Sequence, residues 1–536
     1  MNLLQDKWIT IVRKNGEIEK IAPFEITGKI GTNPIIEIIT PRPDFKGALY
    51  QFLIGLFQTV YAPKDESEWE DRLNRPPKPE ILKLETDKVA FAFDLFGKKI
   101  RFMQDIRLQS EMNENSIKPI EYLLIDSPGK STTEKNRDLF VKRNRIMKTC
   151  FSCSASALFT MQINAPEGGS GNYTSIRGGG PLTTIVKNNT PNQDLWTEIW
   201  LNIISEPFIN LKKLPGKNFE KIFPWLTDKF FKSEGSGNIS SNELHSYSVY
   251  WSNPRRIFLI NNNKIGDCEI CSAKQTVIIE DFVAKNQGIN YGNGGWIHPL
   301  SPYRLDKENW FCHHPHPGGI TYDSWATMIY ENSDKSKNAK IVNLFNEHRT
   351  FKEEQTLIWA FGYDMDSMTA RCWYESLIPL YRIPPHNIEK YESTISTILS
   401  AATQVANHLQ TKVKDAWFNE RQKPKGDTNY LKIVFFKATE SKFFTLAKSI
   451  RDDLQSETIF DDSEKLNWLK YLNEESLKIF DQYVESGSIE YENIQRIVNA
   501  RRDLTLWNFG DKIKKAIGLP IRDKKQPKEK TKNEAI

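Results

Sequence analysis

Two short cysteine pairs carry the clearest chemistry in this chain. Cys150-Phe151-Ser152-Cys153 and Cys268-Glu269-Ile270-Cys271 each present two thiols in C-x-x-C spacing. Two such pairs supply the four thiolates of a closed, tetrahedral zinc site. A site of that kind has no open coordination position, so the zinc expected here is structural, a staple between segments distant in sequence. A redox pair, which needs only one C-x-x-C beside a βαβ pattern, stays open as an alternative. Cys312 and Cys372 are left over and are expected to be buried thiols.

Between the pairs lies residues 164–181, Asn-Ala-Pro-Glu-Gly-Gly-Ser-Gly-Asn-Tyr-Thr-Ser-Ile-Arg-Gly-Gly-Gly-Pro, with two glycine clusters around the single arginine Arg177. Glycine reaches φ > 0 without penalty but loses the most entropy on ordering. A run this dense inside a folded chain therefore marks tight turns or a close approach of bare backbone to a ligand. Arg177 makes that ligand a phosphate-bearing one. A flexible surface loop is the competing reading.

Other motifs fall short of catalysis. Ser127-Pro128-Gly129-Lys130-Ser131-Thr132 imitates the end of a phosphate-binding loop, but the required first glycine falls at Leu124. His313-His314-Pro315-His316, with His298 nearby, offers imidazoles to a metal, yet the spacing has no acidic partner. A loop or hydrogen-bonding role fits these histidines; a metal-dependent nuclease built on them is the rival function. Asp364-Met365-Asp366 lacks the glycine and distal glutamate of a calcium loop. No nucleophile is paired with a base, so the chain is not read as an enzyme.

The elements that must position these residues follow from length, charge and period. A chain of 536 residues calls for two or three domains. No run of about 18 apolar residues could span a bilayer, and the N-terminus lacks a signal-peptide core, so a cytoplasmic location is expected. Thiols stay reduced there, which again favours metal over disulfide. Net charge is +5, of which the six basic and three acidic residues of 522–536 contribute +3. With about +2 left on the body, any nucleic-acid contact must be local.

The fold class expected is α+β. Strands flank Asn15-Gly16, a strong hairpin signal. A second alternating pair surrounds Gly97 between Phe91 and Phe102, and a helix fits Phe45 to Tyr61. From Pro384-Pro385 onward the pattern turns helical: Ile388, Tyr391, Ile395, Ile398, Ala402, Val405 and Leu409 take the three- and four-residue steps of a bundle seam. Further helices fit Tyr430 to Leu454, Leu466 to Val484 capped by Asp462 or Ser463, and Ile494 to Ile517. The domains expected are a large mixed α/β globular domain at 1–383, a C-terminal four-helix bundle at 384–520, and a Lys-rich disordered tail at 521–536.

At this point the chain resembles a known family: CasA, the large subunit of the type I-E CRISPR surveillance complex Cascade. The resemblance runs from Met1-Asn2-Leu3-Leu4 and Trp8 through Phe102-Met103-Gln104 and the two C-x-x-C pairs. It continues through Ile176-Arg177-Gly178-Gly179-Gly180-Pro181-Leu182-Thr183-Thr184, Trp296-Ile297-His298-Pro299-Leu300-Ser301-Pro302 and Gly362-Tyr363-Asp364-Met365-Asp366, and so covers essentially the whole chain. It implies a non-enzymatic subunit that finds the protospacer-adjacent motif on target double-stranded DNA, promotes strand opening and R-loop formation, and helps recruit a nuclease-helicase. Guide RNA and the other Cascade subunits are the implied partners, with no membrane. A scaffold that has lost motif reading is the alternative suggested by Ser170 and Ser367.

The resemblance also assigns residues. The family's minor-groove glycine loop corresponds to Gly168-Gly169-Ser170-Gly171, with Ser170 in place of the central glycine. The lysine finger falls on Lys285, with Asn286 the position reached by ungapped counting from Cys271. The wedge that props open the first base pair maps to Asp366-Ser367-Met368, where Ser367 replaces the family's glutamine and Met368 could pry as an apolar insert. The segment carrying Phe140, Lys142 and Arg143 resembles the loop that docks on the 5′ handle of the guide RNA; aromatic and basic side chains suit single-stranded RNA.

Overall fold

Asn15-Gly16 turns where the sequence predicts a hairpin. Gly16 has φ +88°, a conformation that favours glycine, and Ile9–Arg13 pairs antiparallel with Ile18–Ile21 in the register Ile9 to Ile21 through Val12 to Ile18. Ile35–Ile38 adds a third strand on the other edge of Ile9–Arg13. In the computed structural model the described residues are 1–135, 143–209, 218–231, 238–292, 294–329, 334–349, 356–366, 369–418, 427–455, 460–486 and 493–521.

These residues form two compact units, one comprising Met1–Ile320 and Thr327–Arg382, the other Thr321–Ala326 and Ile383–Ile536. The first is mixed α/β, with five three-stranded sheets among the described residues, every strand pair antiparallel. Its core is organised on the helix Pro43–Val60, which starts with Pro at its first turn and is buried almost all round. Phe52 in that helix meets Trp8, Phe93, Phe102, Phe159 and Trp251, all edge-to-face at centroid distances between 5.5 and 6.1 Å.

The expected second hairpin around Gly97 is not formed. Ala90–Ala92 is a 3₁₀ turn, and the rings of Phe93 and Phe102 stack at 5.2 Å, both fully buried. The alternation there sends aromatic rings into one shared core and is not the inside-outside pattern of a sheet face.

The second unit is helical. Tyr391, Ile395, Ile398, Ala402, Val405 and Leu409 line the buried face of the long helix Ile388–Trp417, against which Tyr430–Asp452, Asp462–Val484 and Ile494–Asn508 pack. The cap of the third helix is Asp461, one residue before the expected position, in a capping box with Glu464. The expected helix Ile494 to Ile517 divides at Phe509-Gly510: Gly510 is extended at φ −73°, ψ 164° and caps a separate helix Asp511–Ala516. Thr321–Ala326 joins this unit because Tyr322 stacks on Phe443 at 4.1 Å and shares a hydrogen bond with Thr439 at 2.8 Å. The Lys-rich residues 522–536 lie outside the described residues. No helix among the described residues is long and apolar enough to cross a membrane.

Candidate nucleic-acid interface and metal centre

Cys150 ends the strand Thr149–Cys150 and caps the helix Phe151–Asn164, whose first turn carries Cys153. Cys268 and Cys271 sit in a turn closed by hydrogen bonds from Cys268 N to Ala273 O (2.8 Å) and from Ser272 N to Cys268 O (2.9 Å). Pairing of Cys150 with Ile278 and Thr149 with Ile279 brings the two segments together. All four sulfurs lie within 4.8 Å of one another, with Cys150 Sγ and Cys271 Sγ 3.6 Å apart. A tetrahedral site with metal–sulfur bonds of about 2.3 Å spaces its sulfurs by about 3.8 Å. The donor set therefore fits a zinc-sized ion.

The four clustered thiols shift one another in opposite directions. Hydrogen bonds from Cys150 and Cys153 draw the Cys271 thiol down to about 6, whereas Cys150, Cys268 and Cys271 push Cys153 up. Four clustered thiolates repel one another, so all four ionise together only around a positive ion. Of the remaining cysteines, Cys312 is buried as expected, with its thiol pushed up to about 11 by burial, but Cys372 is exposed on the strand Thr369–Pro379.

The glycine segment and the Lys285 strand meet. The turn at 168–171 is held by hydrogen bonds between Gly168 N and Asn172 O (3.2 Å) and between Asn172 N and Gly169 O (2.9 Å). It is pinned to the end of the strand Asp281–Lys285 by Asn286 Nδ2 donating to Ser170 O and Gln287 N donating to Gly171 O, each 2.7 Å. Gly171 has φ +76°, and a Cβ there would lie 3.0 Å from Asn286 Cβ, so glycine is required for this contact. Beneath the turn, half-buried Arg255 donates to Pro166 O, and desolvation lowers its pKa to about 10. Lys285, one-third exposed, stands beside the turn with its Nζ 3.0 Å from Glu111 Oε2.

A family model described as CRISPR-associated protein Cse1 matches residues 2–479. The chain belongs to the Cse1 family. Cse1 of Thermobifida fusca superimposes with TM-score 0.65 at 12% identity over 97% of this chain and 98% of that one. CasA (Cse1) of Thermus thermophilus gives 0.63 at 15% identity over 97% and 99%, and a chain of a CRISPR RNA-guided surveillance complex gives 0.64 at 13% over 95% and 99%. At these identities the likeness is one of fold.

In this Cse1-family chain Asp366, the first residue of the expected wedge, ends the strand Thr356–Asp366, which pairs with Thr369–Pro379. Asp366 is exposed and pairs with Thr369; Ser367 and Met368 lie outside the described residues. The hairpin is anchored on the helix Pro43–Val60. Tyr363 donates to Asp44 at 2.6 Å, Arg42 forks onto Asp44, and a Cβ at Gly47 would lie 2.8 Å from Phe361, an approach only glycine permits. Arg371 forks onto Asp364 at 2.7 and 3.0 Å.

Of the expected guide-RNA residues, Phe140 and Lys142 lie outside the described residues. Arg143 is exposed and donates to Thr133 O at 2.8 Å. It lines a cavity of about 850 Å³ with Arg42, Tyr122, Asp126 and Arg145.

The phosphate contact expected of Arg177 is corrected. The residue is only 5% exposed, and its guanidinium donates to Thr183 Oγ1 and Ser301 Oγ, each at 2.9 Å, and to Gln51 Oε1 at 2.5 Å. These bonds turn it inward, where it braces the interior beneath the second glycine cluster. Its motif context looked the same as that of a ligand-facing arginine, and burial alone separates the two. Of the four candidate histidines, His298 is buried, His313 and His314 are half-buried and His316 is exposed. Burial and Arg177 pull the His298 pKa well down; burial pulls His313 down to about 4 and lowers His314. Among the described residues the four cysteines are the sole cluster able to hold a metal.

Proposed function

We propose that this chain is the non-catalytic large subunit of an RNA-guided type I-E CRISPR Cascade complex in the cytoplasm. It recognises the protospacer-adjacent motif through the minor groove of target double-stranded DNA. The reading is supported by membership of the Cse1 family and by the likeness to a chain of a CRISPR RNA-guided surveillance complex. The observation that carries it is the union of the bare turn Gly168-Gly169-Ser170-Gly171 with Lys285-Asn286 through two 2.7 Å hydrogen bonds. Bare backbone enters a narrow groove where side chains would collide, and one ammonium suits the acceptors on its floor.

Minor-groove edges carry a degenerate code, so this surface accepts several related motifs, while guide pairing supplies sequence specificity. Asp366, Ser367 and Met368 act at the hairpin end as the wedge. Phe140, Lys142 and Arg143 meet the 5′ handle of the guide RNA, and the subunit helps recruit the nuclease-helicase. Zinc on Cys150, Cys153, Cys268 and Cys271 staples the base of the glycine segment to the turn that leads into the Lys285 strand.

The test is a gel-shift titration of the assembled complex with motif-containing duplex. Lys285→Ala is expected to weaken binding by about tenfold, in the range for loss of one polar groove contact, with assembly intact. Unchanged affinity removes Lys285 from the interface.

A further inference from the structure

Beside the glycine turn opens a cleft of about 380 Å³, bounded on its far side by the segment leading into the edge strand Ile117–Pro119. Asn115, Lys118, Asn172, Ala284, Lys285 and Asn286 line it, with no carboxylate among its described lining residues. Three of these side chains differ from the rest. Lys285 is held by Glu111, and Asn286 by Ser170 O. Asn115, Lys118 and Asn172 have side chains with no hydrogen-bond or ion-pair partner among the described residues, and Lys118 is exposed. The placement of Asn172 is built into the turn: a Cβ on Gly168 would lie 2.4 Å from Asn172 Cβ, so glycine at 168 is what admits this side chain.

A free carboxamide both donates and accepts. It can give a hydrogen bond to adenine N3 or thymine O2 and take one from the guanine amino group, the groups shown on a minor-groove floor. A free ammonium on an exposed edge strand suits the backbone phosphate of a strand passing the same cleft. We infer that Asn172 is a specificity-determining residue that reads base edges of the motif, and that Lys118 holds a phosphate of the same duplex. The inference rests on the motif-recognition reading above and extends its contact surface across the cleft to the Asn115–Lys118 side.

The experiment uses the complex purified through the full-length tagged chain, with Asn172→Ala, Lys118→Ala and Lys285→Ala compared. Each is titrated with motif-containing duplex between 50 and 200 mM salt, then offered a duplex library randomised at the motif. Lys118→Ala should weaken all motifs by a similar factor and reduce the salt slope by about 1; Lys118→Arg should restore the slope. Asn172→Ala should flatten the motif profile, and Asn172→Asp, which keeps the shape and the acceptor but removes the donor, should lose only the part of the profile that depends on adenine N3 or thymine O2. A wild-type profile and slope in these variants, with affinity lost in Lys285→Ala, overturns the inference and leaves motif recognition standing. Wild-type behaviour in all three overturns both.

Discussion

Lys285 Nζ lies 3.0 Å from Glu111 Oε2, and Arg256, paired with Lys285 across two antiparallel strands, reaches the same oxygen at 3.4 Å. Like charges placed opposite one another are unfavourable; the shared carboxylate relieves this, and the hydrogen bond from Lys285 holds Glu111 below its ordinary range. The pair is partly exposed and hence weak. It can therefore yield Lys285 to a stronger acceptor.

Glu111→Gln should accordingly raise duplex affinity by roughly two- to fivefold, the scale of one exposed ion pair, and steepen its salt dependence. Anisotropy titrations at two salt concentrations check this. Lower affinity would mean that Glu111 positions Lys285 for binding and does not restrain it.

Two glycines of the turn separate folding from binding. Gly171→Ala puts a side chain at φ +76° against Asn286, a strain of about 1 to 3 kcal/mol, and should lower both thermal stability and duplex affinity. At Gly169 an added Cβ meets nothing within 4 Å. Gly169→Ala should leave the melting temperature unchanged yet weaken duplex binding, because only a ligand needs that backbone bare. Equal DNA affinity for Gly169→Ala and wild type argues against groove insertion.

Zinc should co-purify at about one ion per chain, as a closed four-cysteine site requires. Cys150→Ser or Cys268→Ser should release it and lower the melting temperature in the same step. Cys271→Ser, at the exposed ligand, should do the same. Elemental analysis of freshly purified protein decides the point; a metal-free wild type would reduce the cluster to four neighbouring thiols.

Acid should destabilise the protein through its desolvated histidines. Burial lowers His313 from 6.5 to about 4. Between those values the unfolded chain binds a proton that the folded chain does not, so stability falls as pH drops from about 6.5 toward 4. Melting temperatures measured from pH 7 to pH 5 should decline, and His313→Gln should make the decline shallower.

Local chemistry accounts for what was legible without the fold. C-x-x-C spacing places two thiols of each pair within reach of one ion, Asn15-Gly16 selects its turn by φ, and the seam from Tyr391 to Leu409 records the helix period, so each is written in neighbouring residues. The glycine block announced a bare backbone for the same reason. Long-range packing decided the rest. Arg177 and Lys285 are both basic residues beside candidate motifs, yet one is sealed among Gln51, Thr183 and Ser301 while the other stands one-third exposed over Glu111. Phe93 and Phe102 alternate like a strand but stack in a core closed by Phe52 and Trp251. The approach of Ser170 to Asn286 spans 116 residues. Burial and partners at that separation are properties of the assembled chain, because they depend on which distant segments share the same space.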